Sequence, residues 1–280
     1  MTQNHHQASG KKLAITVFLN LLISIGQLFG GFLSGSISLL TDALHNFSDV
    51  LSLLLSWFTN RLAKNPSNER FTFGYKRAEI IAAFVNSLTL VFIAVFLLIE
   101  AIKQFWKPHS IFSDWVIFFA CASIVINVLS VLLLHQDAKH SLNIKSAYLH
   151  LLTDVMTSVV VLIGGILMKY YEIYWVDGLL SILIAVYLII TSFKILKHSA
   201  LILMQATPND INLHVIKNEI LSFEQVYSVE KIRAWQLNEK EYFMELLIKA
   251  DSSNELINRI KKNIQNYTTN KIHINIEVVV

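Results

Sequence analysis

Along the first two hundred positions the chain alternates long apolar blocks with short polar breaks. A helix needs about 20 apolar residues to cross a bilayer. Six stretches are long enough: Leu13–Phe32, Ile37–Thr59, Ala78–Ile99, Trp115–Leu134, Ala147–Met168 and Trp175–Leu196. The second and fifth are impure, because each carries acid and a histidine. After Leu203 the pattern becomes that of a soluble domain. Thr207–Pro208 signals a turn, with Asn209 or Asp210 as a helix N-cap before a helix over Asn212–Leu221. Val226–Gln236 alternates and predicts a strand, and "YFMELLIKA" predicts a second. Leu256, Ile257, Ile260 and Ile264 make a helical stripe, and "KIHINIEVVV" alternates again. The expected fold is a six-helix all-α transmembrane domain followed by a small α-β-β-α-β domain with helices on one face of a sheet. The expected domains are a polar tail over 1–12, a transport domain over 13–200 and a cytoplasmic domain over 206–280.

Composition supports a membrane protein: of 280 residues, 54% are hydrophobic and 15% charged, and the mean hydropathy is +0.51. Soluble domains carry about 25% charge. The net charge of +3 gives no reason to expect a nucleic-acid partner. Cys121 is the one cysteine, so neither an internal disulfide nor a thiolate cluster can form, and it reads as a small core residue. The first apolar run is too long for a signal-peptide core and lacks a small-residue cleavage site, so it is expected to stay as a span. The tail before it, with His5 and His6, reads as solvated and unstructured. An even number of spans puts both termini on one side. Lys11, Lys12, Arg61, Lys64, Arg70, Lys76, Arg77, Lys139, Lys145, Lys194 and Lys197 fall on that side, and only Lys103, Lys107 and Lys169 on the other. The positive-inside rule makes both termini cytoplasmic. Simple loops and the lack of a transit peptide point to a cell inner membrane.

Ionisable groups in a span cost several kcal/mol and mark an ion path unless they pair structurally. In "DALHNFSDV" His45 and Asp49 lie four apart, on one face of a helix. In "YLHLLTDVMTS" His150 and Asp154 repeat that spacing. One such pair could be a structural ion pair or a proton relay; two on separate spans make two arms offering two nitrogens and two carboxylates. That count and those donor types suit tetrahedral zinc, whereas magnesium or calcium would ask for six or more oxygens. Asp42, three residues before His45, has three roles open to it: an acceptor behind an imidazole N–H, a direct ligand, or a carboxylate at the outer rim. Metal needs neutral imidazole and ionised carboxylate, so protons compete with it for one site. Metal–proton exchange follows, with export as the natural direction. No G-x-x-x-x-G-K-[ST] motif is present to supply nucleotide energy.

These stretches resemble the cation diffusion facilitator family of zinc transporters. "GSISLLTDALHNFSDV" is similar to its second span, "RFTFGYKRAEIIAAFVN" to its loop and third-span entry, and "NIKSAYLHLLTDVMTSV" to its fifth. "WVDGLLSILIA" and "LILMQATP" are similar to its sixth span and the hinge that follows. The resemblance implies a homodimer of six-span protomers with a ferredoxin-like cytoplasmic domain. It implies export of zinc, as transported substrate, against protons as counter-ion. Its transport ligands carry over to His45, Asp49, His150 and Asp154. Histidine at the position of His45 goes with zinc preference in the family, and aspartate there with acceptance of cadmium.

The departures lie mostly in the cytoplasmic part. Relatives often read H-V-W where this chain has "RAW" with Arg233, and Glu245 stands where another histidine is common. His273 matches, so His273 and Glu245 are weak candidates for a regulatory metal site, which the basic Arg233 disfavours. His135 and His140 are sparse for the family's histidine-rich loop, Gln27 replaces a frequent glutamate, and Gly178 replaces the proline of W-x-D-P. Asn20, Gln27, Asn86 and Asn127 read as amides bonding between helices, and Gly30–Gly31 and Gly164–Gly165 as close-packing points. Of the rival readings, an embedded metalloenzyme needs an open metal position and a general base, yet four ligands fill the shell and no H-E-x-x-H occurs. A metal sensor is disfavoured by Arg233. A passive channel stays open on sequence alone.

Overall fold

The computed structural model describes residues 2–63, 65–135, 142–251 and 253–279; the side chains of 2–13, 56, 60, 142–144 and 146 lie outside that description, as does the expected role of His5, His6 and His140. Six long helices come first: α1 Thr2–Ser34, α2 Ile37–Ala63, α3 Ala78–Trp106, α4 Ser113–Leu134, α5 Leu142–Tyr171 and α6 Trp175–Leu203. Then follow α7 Leu213–Leu221, β1 Val226–Gln236, β2 Glu241–Ala250, α8 Asn254–Gln265 and β3 Lys271–Val279. Five of the long helices are long and apolar enough to cross a membrane, and α2 is not among them. Its length suffices, but Asp42, His45, Asn46 and Asp49 dilute its apolar character.

The helix ends follow local chemistry. Gly35 adopts φ +73° and its N–H returns to the Gly31 carbonyl at 3.0 Å, closing α1 with a left-handed residue that glycine supplies without strain. Only Gly35 and Ser36 separate α1 from α2. The α6 terminus is similar: Gln205 has φ 59°, the Ala206 N–H reaches the Leu201 carbonyl at 2.9 Å, and Pro208 follows. Two expectations change. The polar start of the chain continues α1 from Thr2 rather than standing apart, since it holds no proline and extends a helix already begun. The N-cap of α7 is Asn212, whose side chain accepts from the His214 and Val215 amides, not Asn209 or Asp210. A turn from the Ile211 N–H to the Pro208 carbonyl uses those two residues and buries Ile211 first.

The chain divides into two compact units. The first comprises residues 1–54 and 86–194. Its core joins Leu39, Ala94, Val116, Ala120, Val161, Met168, Ile184 and Leu188. The outer faces of its helices stay apolar and exposed, as at Phe18, Phe29, Phe92, Leu132 and Ile163, which suits lipid rather than water. Glycines set the spacing. A Cβ on Gly30 would meet the Phe119 ring, one on Gly31 would lie 2.6 Å from Leu40 Cγ, and one on Gly164 would lie 2.4 Å from Leu180 Cδ1.

The second unit comprises residues 55–85 and 195–280. Its sheet has the order β1-β2-β3, antiparallel between β1 and β2 and parallel between β2 and β3. Tyr242, Met244, Leu246, Ile248 and Ala250 alternate along β2 and are buried. Ile216 and Ile220 of α7 and Leu256, Ile260 and Ile264 of α8 join them in one core. The other face carries Phe243, Glu245 and, across the ladders, Trp235 and His273.

Candidate metal centre

The sequence places His45 and Asp49 one turn apart on α2, and His150 and Asp154 one turn apart on α5. In the structure the two arms meet. His45 Nδ1 is 3.5 Å from Asp49 Oδ2, and His45 Nε2 is 3.8 Å from Asp154 Oδ1. His150 Nε2 lies 3.0 Å from Asp49 Oδ2 and 3.9 Å from Asp154 Oδ2. The imidazoles stand edge to face with centroids 5.8 Å apart. His45, Asp49 and Asp154 each offer an atom within 4.8 Å of the others, a spacing a cation could bridge. His45 and Asp154 are buried, while His150 is the most open of the four.

Three of these atoms, His45 Nε2, Asp49 Oδ2 and Asp154 Oδ1, are buried without a hydrogen-bond partner. Such an atom costs about 1–3 kcal/mol when left bare. Neutral imidazole and carboxylate oxygens are donor types zinc accepts, so a divalent ion would satisfy all three at once.

Asp42 is fully buried and stands outside this ligand group. Its Oδ2 accepts from Gln27 Nε2 of α1 at 2.8 Å, and the Gln27 Oε1 accepts from Asn46 Nδ2 at 3.3 Å. Among the roles open to it, this is a buried hydrogen-bonded position and not a rim. Asn86 of α3 donates to Ser52 Oγ of α2 at 2.7 Å, whereas Asn127 stays within α4, reaching Ser123 Oγ at 3.3 Å. Two groups beside the centre had no signal in the sequence. Tyr187 of α6 places its ring edge-on to His45 with centroids 6.1 Å apart, and Asn46 bonds to Gln27. Only knowledge of which helices neighbour α2 reveals either.

His273 and Glu245 do not come together. In the parallel register His273 lies opposite Phe243, and its ring stacks on that phenyl at 4.7 Å. Its nearest carboxylate is Glu241, at 4.0 Å. Glu245 instead faces Lys231 at 3.8 Å and Arg233 at 3.9 Å, two cations that leave little charge for a metal. In the ladder Glu245 stands opposite Asn275, two residues along β3 from His273.

Comparison with known proteins agrees with the membrane half. Residues 13–204 match the model of the cation efflux transmembrane domain. A protein of Bacillus subtilis named a cadmium, cobalt and zinc/H(+)-K(+) antiporter is 32% identical over 240 residues, covering 85% of this chain and 77% of its own. The zinc transporter ZitB of Pectobacterium atrosepticum is 32% identical over 245 residues, with 86% and 77% covered. The metal cation efflux system protein CzcD of Cupriavidus metallidurans is 30% identical over 236 residues, with 84% and 75% covered. With a domain model spanning more than half its length and relatives at this identity along most of it, the chain belongs to the cation efflux, or cation diffusion facilitator, family.

Proposed function

We propose that this protein exports zinc or a similar divalent cation from the cytoplasm in exchange for protons, by alternating access to a site formed by His45, Asp49, His150 and Asp154. The observation that carries the reading is the meeting of the two histidine–aspartate arms, with a buried imidazole nitrogen and a buried carboxylate oxygen lacking any other partner. The printed names of the relatives, which include zinc transport and exchange for protons, lend support. Protons entering from outside neutralise the carboxylates and charge the imidazoles, which releases the ion. The reverse step on the cytoplasmic side reloads it. No enzymatic step is assigned, since four ligands leave no open position for an activated water.

On this reading α2 crosses the membrane with the other five helices, its ionisable face turned toward the protein. Residues 1–12 and the 206–280 domain lie in the cytoplasm, flanking a transport domain over 13–200. The α-β-β-α-β domain is ferredoxin-like, and two copies of the chain associate in a cell inner membrane. The test is flux. Proteoliposomes holding a zinc-sensitive dye are given a pH gradient, and wild type is compared with Asp154→Ala. Zinc entry should follow the gradient and fall to the protein-free background in the variant. Flux indifferent to pH would indicate a channel, and substrate cleavage without flux an enzyme.

A further inference from the structure

A helix begins with unsatisfied amide N–H groups, ordinarily met by side chains just before it. At the start of α2 part of that work is done by another helix. Asp177, in the first turn of α6, is fully buried. Its Oδ2 accepts the Ile37 amide at 2.9 Å, and its Oδ1 accepts the hydroxyls of Ser36 at 2.6 Å and Ser38 at 2.5 Å. The Ser36 hydroxyl oxygen also accepts the Leu39 amide at 3.2 Å. A carboxylate in this place also opposes the positive end of the helix dipole.

The residue next to Asp177 keeps the cap from drifting. A Cβ on Gly178 would lie 2.6 Å from the Phe105 nitrogen and 3.0 Å from the Ala101 carbonyl oxygen. The first turn of α6 is therefore seated backbone to backbone on the end of α3. The same helix meets α2 again lower down, where Tyr187 abuts His45. At 1.5 Å per residue those contacts lie about 15 Å apart along α6 and about 12 Å apart along α2, matching two helices that run side by side.

We propose that Asp177 is a positioning residue for the metal centre: by capping α2 from a seat on α6, it sets the axial level at which His45 and Asp49 face His150 and Asp154. It touches no metal itself. Zinc–ligand distances of about 2.0–2.2 Å tolerate departures of about 0.2 Å. A slip of α2 by one residue would move its ligands by about 1.5 Å and turn them by about 100°. The cap's three bonds thus govern whether four ligands can reach one ion. This rests on the assignment of those four residues as the site.

The test uses full-length purified protein. Zinc affinity is measured against a competing chelator, and the visible spectrum of bound cobalt reports tetrahedral geometry. Asp177→Ala should weaken zinc about 10–100-fold, as removal of a ligand's outer support does, and lose part of the tetrahedral cobalt band in protein that remains folded and monodisperse. Asp177→Asn, which keeps a carbonyl acceptor for the serines, should recover much of both. Wild-type affinity and spectrum in folded Asp177→Ala would overturn the proposal. If that variant does not fold, Ser36→Ala with Ser38→Ala keeps the amide bond and should give a smaller loss; wild-type values there would overturn it equally. Asp154→Ala run alongside separates the two levels. Full binding in that variant removes the site assignment, and this proposal with it. Loss there with full binding in the Asp177 variants removes only the positioning role.

Discussion

His45 meets three neighbours at once: its own helix through Asp49, α5 through Asp154 and α6 through Tyr187. Replacing it by aspartate shortens the arm and exchanges a nitrogen for oxygens that can bind singly or in pairs. His45→Asp should therefore raise the ratio of cadmium to zinc flux several-fold in a competition assay; an unchanged ratio would show that selection is set elsewhere. The four proposed ligands were readable from spacing alone, because ionisable groups in a span are expensive and a repeat of four residues puts them on one face. Asp42 could not be resolved that way. Its role depends on Gln27, fifteen residues earlier, being its neighbour in space. Asp177 was visible only as a motif residue, since its partners lie on the first helical hairpin.

At the scale of elements, nearly every helix and strand could be placed from hydrophobic period, while register could not. Alternation alone could not say that His273 would lie opposite Phe243, with Glu245 opposite Asn275. What the same register does assemble, within the second unit, is a contact between the loop before α3 and the start of β2. Lys76 Nζ donates to both oxygens of Glu241 at 2.8 and 2.7 Å, and the Phe73 ring meets Phe243 edge-on at 5.3 Å. The Lys76 ammonium holds the Glu241 carboxyl below its ordinary range, against the opposing effect of burial. A carboxyl depressed on folding stabilises above its unfolded pKa, and the contribution is lost as pH falls through the folded value. The contact should thus stay constant between pH 6 and 8, so the pH response of transport in that window should survive its removal. Lys76→Glu and Glu241→Lys should each lower thermal stability slightly, by about 0.2–1 kcal/mol for so accessible a pair. The double swap should restore it, and additive losses in the cycle would deny the pairing.

For the molecule as a whole, five of the described helices read as spans by composition, and α2, which bears His45 and Asp49, does not. An aspartate near mid-membrane costs about 2.5–3.5 kcal/mol on insertion scales, and α2 holds Asp42 and Asp49. In a glycosylation-reporter assay, α2 presented alone should insert poorly, and α1 with α2 well; equal insertion would show that α2 needs no companion. The two-residue turn at Gly35–Ser36 gives this a consequence for biogenesis. The less apolar segment leaves the ribosome directly behind a more apolar one, and the short turn lets it fold back early, so that Asp42 can enter the translocon already bonded to Gln27. A longer or stiffer turn would delay that bond, and damage would first register as misrouted nascent chains rather than as a faulty transporter.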